Sequence, residues 1–188
     1  MTIGTPGVFA IESRITHAYD ELSLRALGCF LIYVAGFRYG VDADDATMLA
    51  NSYDAVINRI QRRGTHRAVF AHEDAVDIAA AVSASLYTDC GQRQFFSLSQ
   101  AEFAALLTGT GVLWAPDGDE AFDDGSHVLQ FDVNDRVRLV GFRRESGTVS
   151  AASVSDVWLP EEQYYSTLET WRNAFDKEWE LQPKLATG

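Results

Sequence analysis

The sequence predicts an α+β fold, a single domain over residues 1–188 with a mostly antiparallel sheet and about four helices. Strand-type alternation occurs toward both ends of the chain, in residues 9–39 and 127–159. Helical spacing fills the middle and the carboxy-terminal stretch. The resulting order (strands, helices, strands, helix) suits an antiparallel sheet with helices gathered against it. At 188 residues the chain has the usual length of one domain and can bury roughly 70% of its unfolded surface. No Pro- or Gly-rich linker and no internal repeat divides it.

The first element follows a Gly4-Thr5-Pro6-Gly7 turn. Phe9, Ile11 and Ile15 fall on one side, with Ala10, Glu12 and Arg14 on the other, the mark of a half-buried strand. Leu27–Val34 is apolar on both faces and reads as a central strand. Ala35-Gly36 offers a two-residue turn into Phe37-Arg38-Tyr39, which would set Val34 opposite Phe37 and Ile32 opposite Tyr39. From Asp42 the spacing changes. Ala46, Leu49, Tyr53, Val56, Ile57 and Ile60 form one helical stripe. Asp42, Asp44 and Asp45 at its start and Arg59, Arg62 and Arg63 at its end complement the helix dipole, and Gly64 supplies the stop.

A second helix is expected from Glu73 to Tyr87, with Val76, Ala79, Ala80, Ser83 and Leu86 inward. Ser99 and Glu102 have capping-box spacing and open a short helix through Phe103, Leu106 and Leu107 to near Gly109. Residues 115–126 read as a loop. In the hairpin that follows, a three-residue turn over Asn134–Arg136 would pair Val133 with Val137 and Phe131 with Leu139, and would set Asp132 against Arg138 on the other face. Register therefore favours it over a two-residue turn. Val154–Leu159 is a further strand. Pro160 suits the first position of a last helix, whose Leu168, Trp171, Phe175 and Trp179 form an apolar stripe for the sheet to cover.

Charge narrows the function. Lys and Arg number 15 against 27 Asp and Glu, and residues 117–188 hold 7 of the basic and 15 of the acidic side chains. Direct nucleic-acid binding, which needs clustered Lys and Arg to release counterions, is disfavoured. Such acidity serves plain solubility and also suits a basic protein partner, because opposite fields speed encounter. The longest apolar run, Ala26–Phe37, is shorter than the about 20 residues of a membrane crossing. The amino terminus lacks the basic and apolar regions of a signal peptide, so a cytoplasmic protein without membrane contact is expected. Cys29 and Cys90 form no CxxC pair and no disulfide framework; Cys29 is expected to be a small buried hydrophobe.

Catalytic and metal motifs fail on spacing. His72-Glu73 begins like a zinc-protease motif, but Val76 stands four residues on instead of His. His17, His66 and His127 complete no metal pair either, and read as structural or surface histidines. There is no GxSxG, and Gly109-Thr110-Gly111 lacks the rest of a phosphate loop. Arg59, Arg62, Arg63 and Arg67 are explained mainly by a helix end satisfying its own carbonyls, with phosphate binding the lesser alternative. Asp117, Asp119, Glu120, Asp123 and Asp124 make the densest acidic cluster, but Ala121 and Phe122 stand where a Ca²⁺ loop needs an oxygen ligand and glycine. The cluster reads as a solvated loop or as a docking surface for a basic partner, with a cation site least favoured. No catalytic residue, cofactor or metal is expected.

Two stretches add a resemblance. Ile3-Gly4-Thr5-Pro6-x-x-Phe9-Ala10-Ile11-Glu12, followed by Gly28-Cys29-Phe30-Leu31-Ile32-Tyr33-Val34-Ala35-Gly36-Phe37-Arg38-Tyr39-Gly40, resembles the immunity protein 42 family. Its members run I-G-[DN]-P-x-x-F-A-I-E and then G-x-F-x-x-W-I-N-G-x-x-I-G. Thr5, Tyr33-Val34-Ala35-Gly36 and Val41 depart from that pattern. The resemblance implies a cytoplasmic antidote of a bacterial polymorphic-toxin or contact-dependent inhibition system. Such a protein binds the toxic C-terminal domain of a cognate delivered toxin, a nuclease in many cases, and blocks it stoichiometrically. Two other classes stay open on the residues alone: a small enzyme with scattered residues around His127 and the acidic loop, and an adaptor domain. The sequence leaves the oligomeric state open.

Overall fold

Phe9 and Ile11 are buried, as alternation requires, and an amino-terminal sheet is built around them. The structure is a computed structural model that describes residues 1–88, 93–116 and 119–185. β1 (Thr2–Thr5) returns antiparallel onto β2 (Phe9–Tyr19), which pairs with β3 (Ala26–Val34) and through it with β4 (Phe37–Tyr39). Val34 opposes Phe37 and Ile32 opposes Tyr39, the expected register. Ala35 takes a φ of 50° and Gly36 one of 88°. A left-handed alanine costs about 1–3 kcal/mol, so something must hold it. The Ala35 N–H donates to the Val8 carbonyl at 2.8 Å and the Gly36 N–H to the Pro6 carbonyl at 2.9 Å. The Gly-Thr-Pro-Gly turn thus clamps the hairpin tip. At Gly28 a Cβ would lie 1.9 Å from the Arg14 carbonyl oxygen, so only glycine lets β3 approach β2 there.

β5 (Thr47–Met48) pairs with Leu27 and Gly28 of β3 and leads into α1 (Leu49–Gln61). The helix therefore starts at Leu49, later than the sequence suggested. Strand pairing claims residues 47 and 48, and Asp42 and Asp44 pair with Arg14 and Arg38 instead of capping a helix. Ala46 lies outside the helix, while Leu49, Tyr53 and Val56 are buried.

α2 (Ala75–Tyr87) is capped by Asp74, whose carboxylate accepts from the Val76 N–H at 2.8 Å. It buries Ile78, Ala79, Ala81, Val82, Ser83 and Ser85, leaving Val76 and Ala80 exposed. The inward face is rotated from the expected one. The segment is almost continuously small and apolar, so spacing could not choose a face and packing did. β6 (Gln94–Phe95) and β7 (Leu98–Ser99) form a short hairpin before α3 (Gln100–Gly109), where the Ser99–Glu102 capping box is present as expected.

β8 (Leu113–Ala115), β9 (Ser126–Val133), β10 (Arg136–Glu145), β11 (Thr148–Val149) and β12 (Ser155–Pro160) make the second sheet. α4 (Glu161–Leu181) follows, and β13 (Lys184–Leu185) pairs parallel with β2. The β9–β10 turn has two residues, not three: Val133 opposes Arg136, Asp132 opposes Val137 and Phe131 opposes Arg138. The three-residue register assumed one buried face, but this sheet is covered on both. Val128, Val137 and Leu139 join the core shared with the first sheet, α1 and α4. Leu129, Phe131, Val140 and Phe142 join a second core under α2 and α3. With both faces buried, apolar pairing no longer selects a register. Arg138 accordingly pairs with Asp156, at 2.8 and 2.9 Å, and not with Asp132. In α4, Pro160 is the cap, and Leu168, Trp171 and Phe175 are fully buried. Among the described residues no helix is long and apolar enough to cross a membrane.

Candidate functional site

The acidic loop does two different jobs. Asp117 and Cys90 lie outside the described residues. Asp119 is buried, and its carboxylate accepts from Thr47 Oγ1 at 2.6 Å, Ser52 Oγ at 2.5 Å and the Ala121 N–H at 2.9 Å. It ties the loop to the start of α1 and is not presented to a partner. Glu120 and Asp123 are exposed. Asp124 is intermediate: it accepts from the Ser126 N–H at 3.0 Å and pairs with Arg143 Nη2 at 2.8 Å.

Arg143 links the loop to a ladder of charges on the first sheet. Its Nη2 also donates to the Arg38 carbonyl at 3.0 Å. Arg38 pairs with Asp42 at 2.6 Å, Asp42 with Arg14 at 3.1 Å and Arg14 with Asp44 at 3.0 Å. The Arg14 hydrogen bond, joined by the charges of Arg38 and Arg14, holds the Asp42 carboxyl below its ordinary range despite some desolvation. Beside the ladder opens a groove of about 340 Å³ between β4, β10 and the segment before β12, lined by Phe37, Arg38, Tyr39, Arg143, Glu145 and Ser153 among others. Phe37 stands on its rim at 46% exposure. An exposed aromatic flanked by arginines is the composition of an interface anchor. Sequence reasoning did not select Phe37, Arg38 or Arg143. The available signal was an aromatic at a hairpin tip, beyond the reach of the core.

His127 sits beside the loop with both ring nitrogens engaged. Nδ1 contacts the Gly125 carbonyl at 2.9 Å and Nε2 the Tyr87 hydroxyl at 3.0 Å, while the ring stacks on Phe142. The carbonyl can only accept, so Nδ1 carries the proton; burial favours the neutral ring, in which Nε2 accepts from the hydroxyl. This is the environment of a structural histidine. Among the described residues no group of three or more His, Cys, Asp or Glu is placed to hold a metal.

A buried polar hub joins α1, α4 and β9. Gln130 Oε1 accepts from Arg59 Nη1 at 2.9 Å and from the Tyr164 hydroxyl at 2.6 Å, and Gln130 Nε2 donates to Asp132 Oδ1 at 3.0 Å. Asp132 also accepts from the Tyr165 hydroxyl at 3.0 Å and from both the backbone N–H and Nδ1 of His66, each at 3.0 Å. Burial pushes the Asp132 carboxyl up, but the hydrogen bonds from His66 and Gln130 outweigh it and hold it ionised. Burial pushes His66 below its ordinary value; the Asp132 hydrogen bond opposes this and the Arg59 charge reinforces it. Burial likewise lowers His127, against the Gly125 hydrogen bond and with the Arg144 charge.

Both histidines are thus neutral in the fold and take up a proton more readily once it opens. The stability they contribute is complete above about pH 6.5 and is lost as pH falls toward their folded values. Asp132 adds a second loss below about pH 4, completed as pH falls through its own depressed value. Denaturant midpoints measured across pH are expected to be level above about pH 7, to decline below about 6.5 and to steepen below about 4. His127→Phe should flatten part of the first decline.

Comparisons with known proteins agree with this architecture. A solved structure, CdiI from Burkholderia dolosa AUO158, shares the fold with a TM-score of 0.58 at 15% identity, over 93% of this chain and 99% of that one. No curated protein matches. The family model described as immunity protein 42 matches residues 1–174, far beyond the amino-terminal stretch in which the resemblance was first visible. The chain belongs to the immunity protein 42 family.

Proposed function

We propose that this chain is a single-domain antidote that acts in the cytoplasm, binding the toxic domain of a cognate delivered toxin one to one, with no catalysis of its own. Toxin neutralisation follows from membership of an immunity-protein family. The proposal adds the mode, the face and the charge of the partner. The observation that carries it is the continuity of one surface: the exposed Glu120 and Asp123, the Asp124–Arg143 pair, the ladder to Asp44, and the Phe37 groove. Its carboxylates suit a basic toxin such as a nuclease, whose cleft is built for phosphates, while Phe37 supplies the apolar anchor.

The test separates docking from folding. Asp119 stays untouched because it serves the fold. Glu120→Gln and Asp123→Asn together, both at exposed positions, should leave stability within about 0.5 kcal/mol. Their association with the toxin domain should slow by about tenfold at low salt and lose most of its salt dependence. An unchanged rate at low salt would remove the acidic loop from the docking face.

A further inference from the structure

Arg62 is not accounted for by the fold or by the docking face. Asn58 and Arg59 each lie three or four residues from both Ala55 and Arg62, so the four share one side of the last turns of α1 and its cap. That face, with His66 and Gly111, lines a cleft of about 170 Å³. The cleft is smaller than the about 300–1,000 Å³ of sites for drug-sized ligands, so it selects a small group.

Its donors are poorly used by the protein itself. Among the described residues Arg62 makes no ion pair, only a long hydrogen bond of 3.3 Å to the Gly109 carbonyl. The Asn58 amide makes no side-chain hydrogen bond among them either. Arg59, in the wall, is held by the carbonyls of Gly111 and Leu113 and by Gln130. No carboxylate lines the cleft. Both guanidinium charges act on His66, lowering its affinity for a proton. The His66 Nδ1 is taken by Asp132, and its Cδ2 lies 3.5 Å from where a Cβ on Gly111 would stand, so the Nε2 edge is turned toward the cleft. Gly111, with a φ of 67°, also leaves room for the Arg62 guanidinium, which a Cβ would meet at 2.9 Å.

We propose that this cleft binds a small oxyanion, held by the Arg62 guanidinium and the Asn58 amide against the positive charge of Arg59. The neutral His66 ring lies beside it, its Nε2 free to accept from a protonated oxygen of the anion. A guanidinium and an amide one helical turn apart, both lining the cleft, match an anion with several acceptor oxygens. The site is separate from the acidic face and stands without the docking proposal.

Inorganic phosphate is the probe. It is titrated against chloride at constant ionic strength while the imidazole resonances of His17, His66, His72 and His127 are followed by NMR. The expected result is a saturable shift confined to His66. Arg62→Gln and, independently, Asn58→Ala should each weaken it, Arg62→Gln by at least tenfold, with the amide spectrum otherwise unchanged. Arg67→Gln should leave it intact, because Arg67 bonds to the Gly64 carbonyl outside the cleft. Both variant positions are exposed, so they report binding and not folding. Absence of a saturable shift up to tens of millimolar phosphate overturns the proposal. So does a His66 shift that survives both variants, or equal shifts at all four histidines.

Discussion

Replacing Trp171 by alanine is expected to lower the stability of the fold by about 3–5 kcal/mol, the range for removing a large buried aromatic. Trp171 is fully buried where α4 packs on β2, β3 and α1. Its ring meets Phe30 of β3 edge-on at 5.3 Å, Tyr53 of α1 at 6.3 Å and Phe175 one turn on at 5.2 Å. Its Nε1–H donates to Ser13 Oγ of β2 at 3.0 Å. The substitution therefore opens a cavity and strands a buried hydroxyl, at the residue that joins α4 to β2, β3 and α1. Trp171→Phe keeps most of the apolar contact and should cost clearly less. Equilibrium denaturation of the two variants checks the ranking. A loss below about 1.5 kcal/mol for the alanine variant would mean that α4 is not anchored as described.

Asp132→Ala should be comparably damaging, by about 3–5 kcal/mol. The carboxylate takes hydrogen bonds from the His66 backbone, the His66 ring, Gln130 and Tyr165, all in the interior. Its removal leaves several buried donors without an acceptor, and each unsatisfied group costs about 1–3 kcal/mol. Asp132→Asn preserves shape but introduces donors where only acceptors fit, so partial rescue is expected. The His66 titration gives a second readout. Without the Asp132 acceptor, which favours the protonated ring, the His66 value should fall further still. A rise would contradict the assignment.

What was legible in the sequence followed how many faces of an element are buried. β2 carries Phe9 and Ile11 inward and Arg14 outward, and alternation identified it as a strand, although Ala10 on the other face is buried too. The β9–β10 hairpin is buried on both sides, so the same reasoning chose the wrong turn. In α2 the near-continuous run of small apolar residues hid which face packs. Asp119 was indistinguishable from its acidic neighbours, because its partners Thr47 and Ser52 lie 72 and 67 residues away. Arg59 looked like a helix-end residue for the same reason: Gln130, its partner in the core, is 71 residues distant. Non-local polar pairing leaves no periodic trace. The family resemblance, by contrast, rested on local backbone demands at the turn preceding β2 and the β3–β4 hairpin, which short motifs record well.

The most direct test of the account is a titration of toxin activity. The cognate toxin domain is held at a fixed concentration well above the dissociation constant, and the chain is added in increasing molar ratio. Stoichiometric neutralisation predicts a linear fall in activity that reaches zero at one equivalent. Activity that persists through several equivalents, or that vanishes far below one, would contradict it.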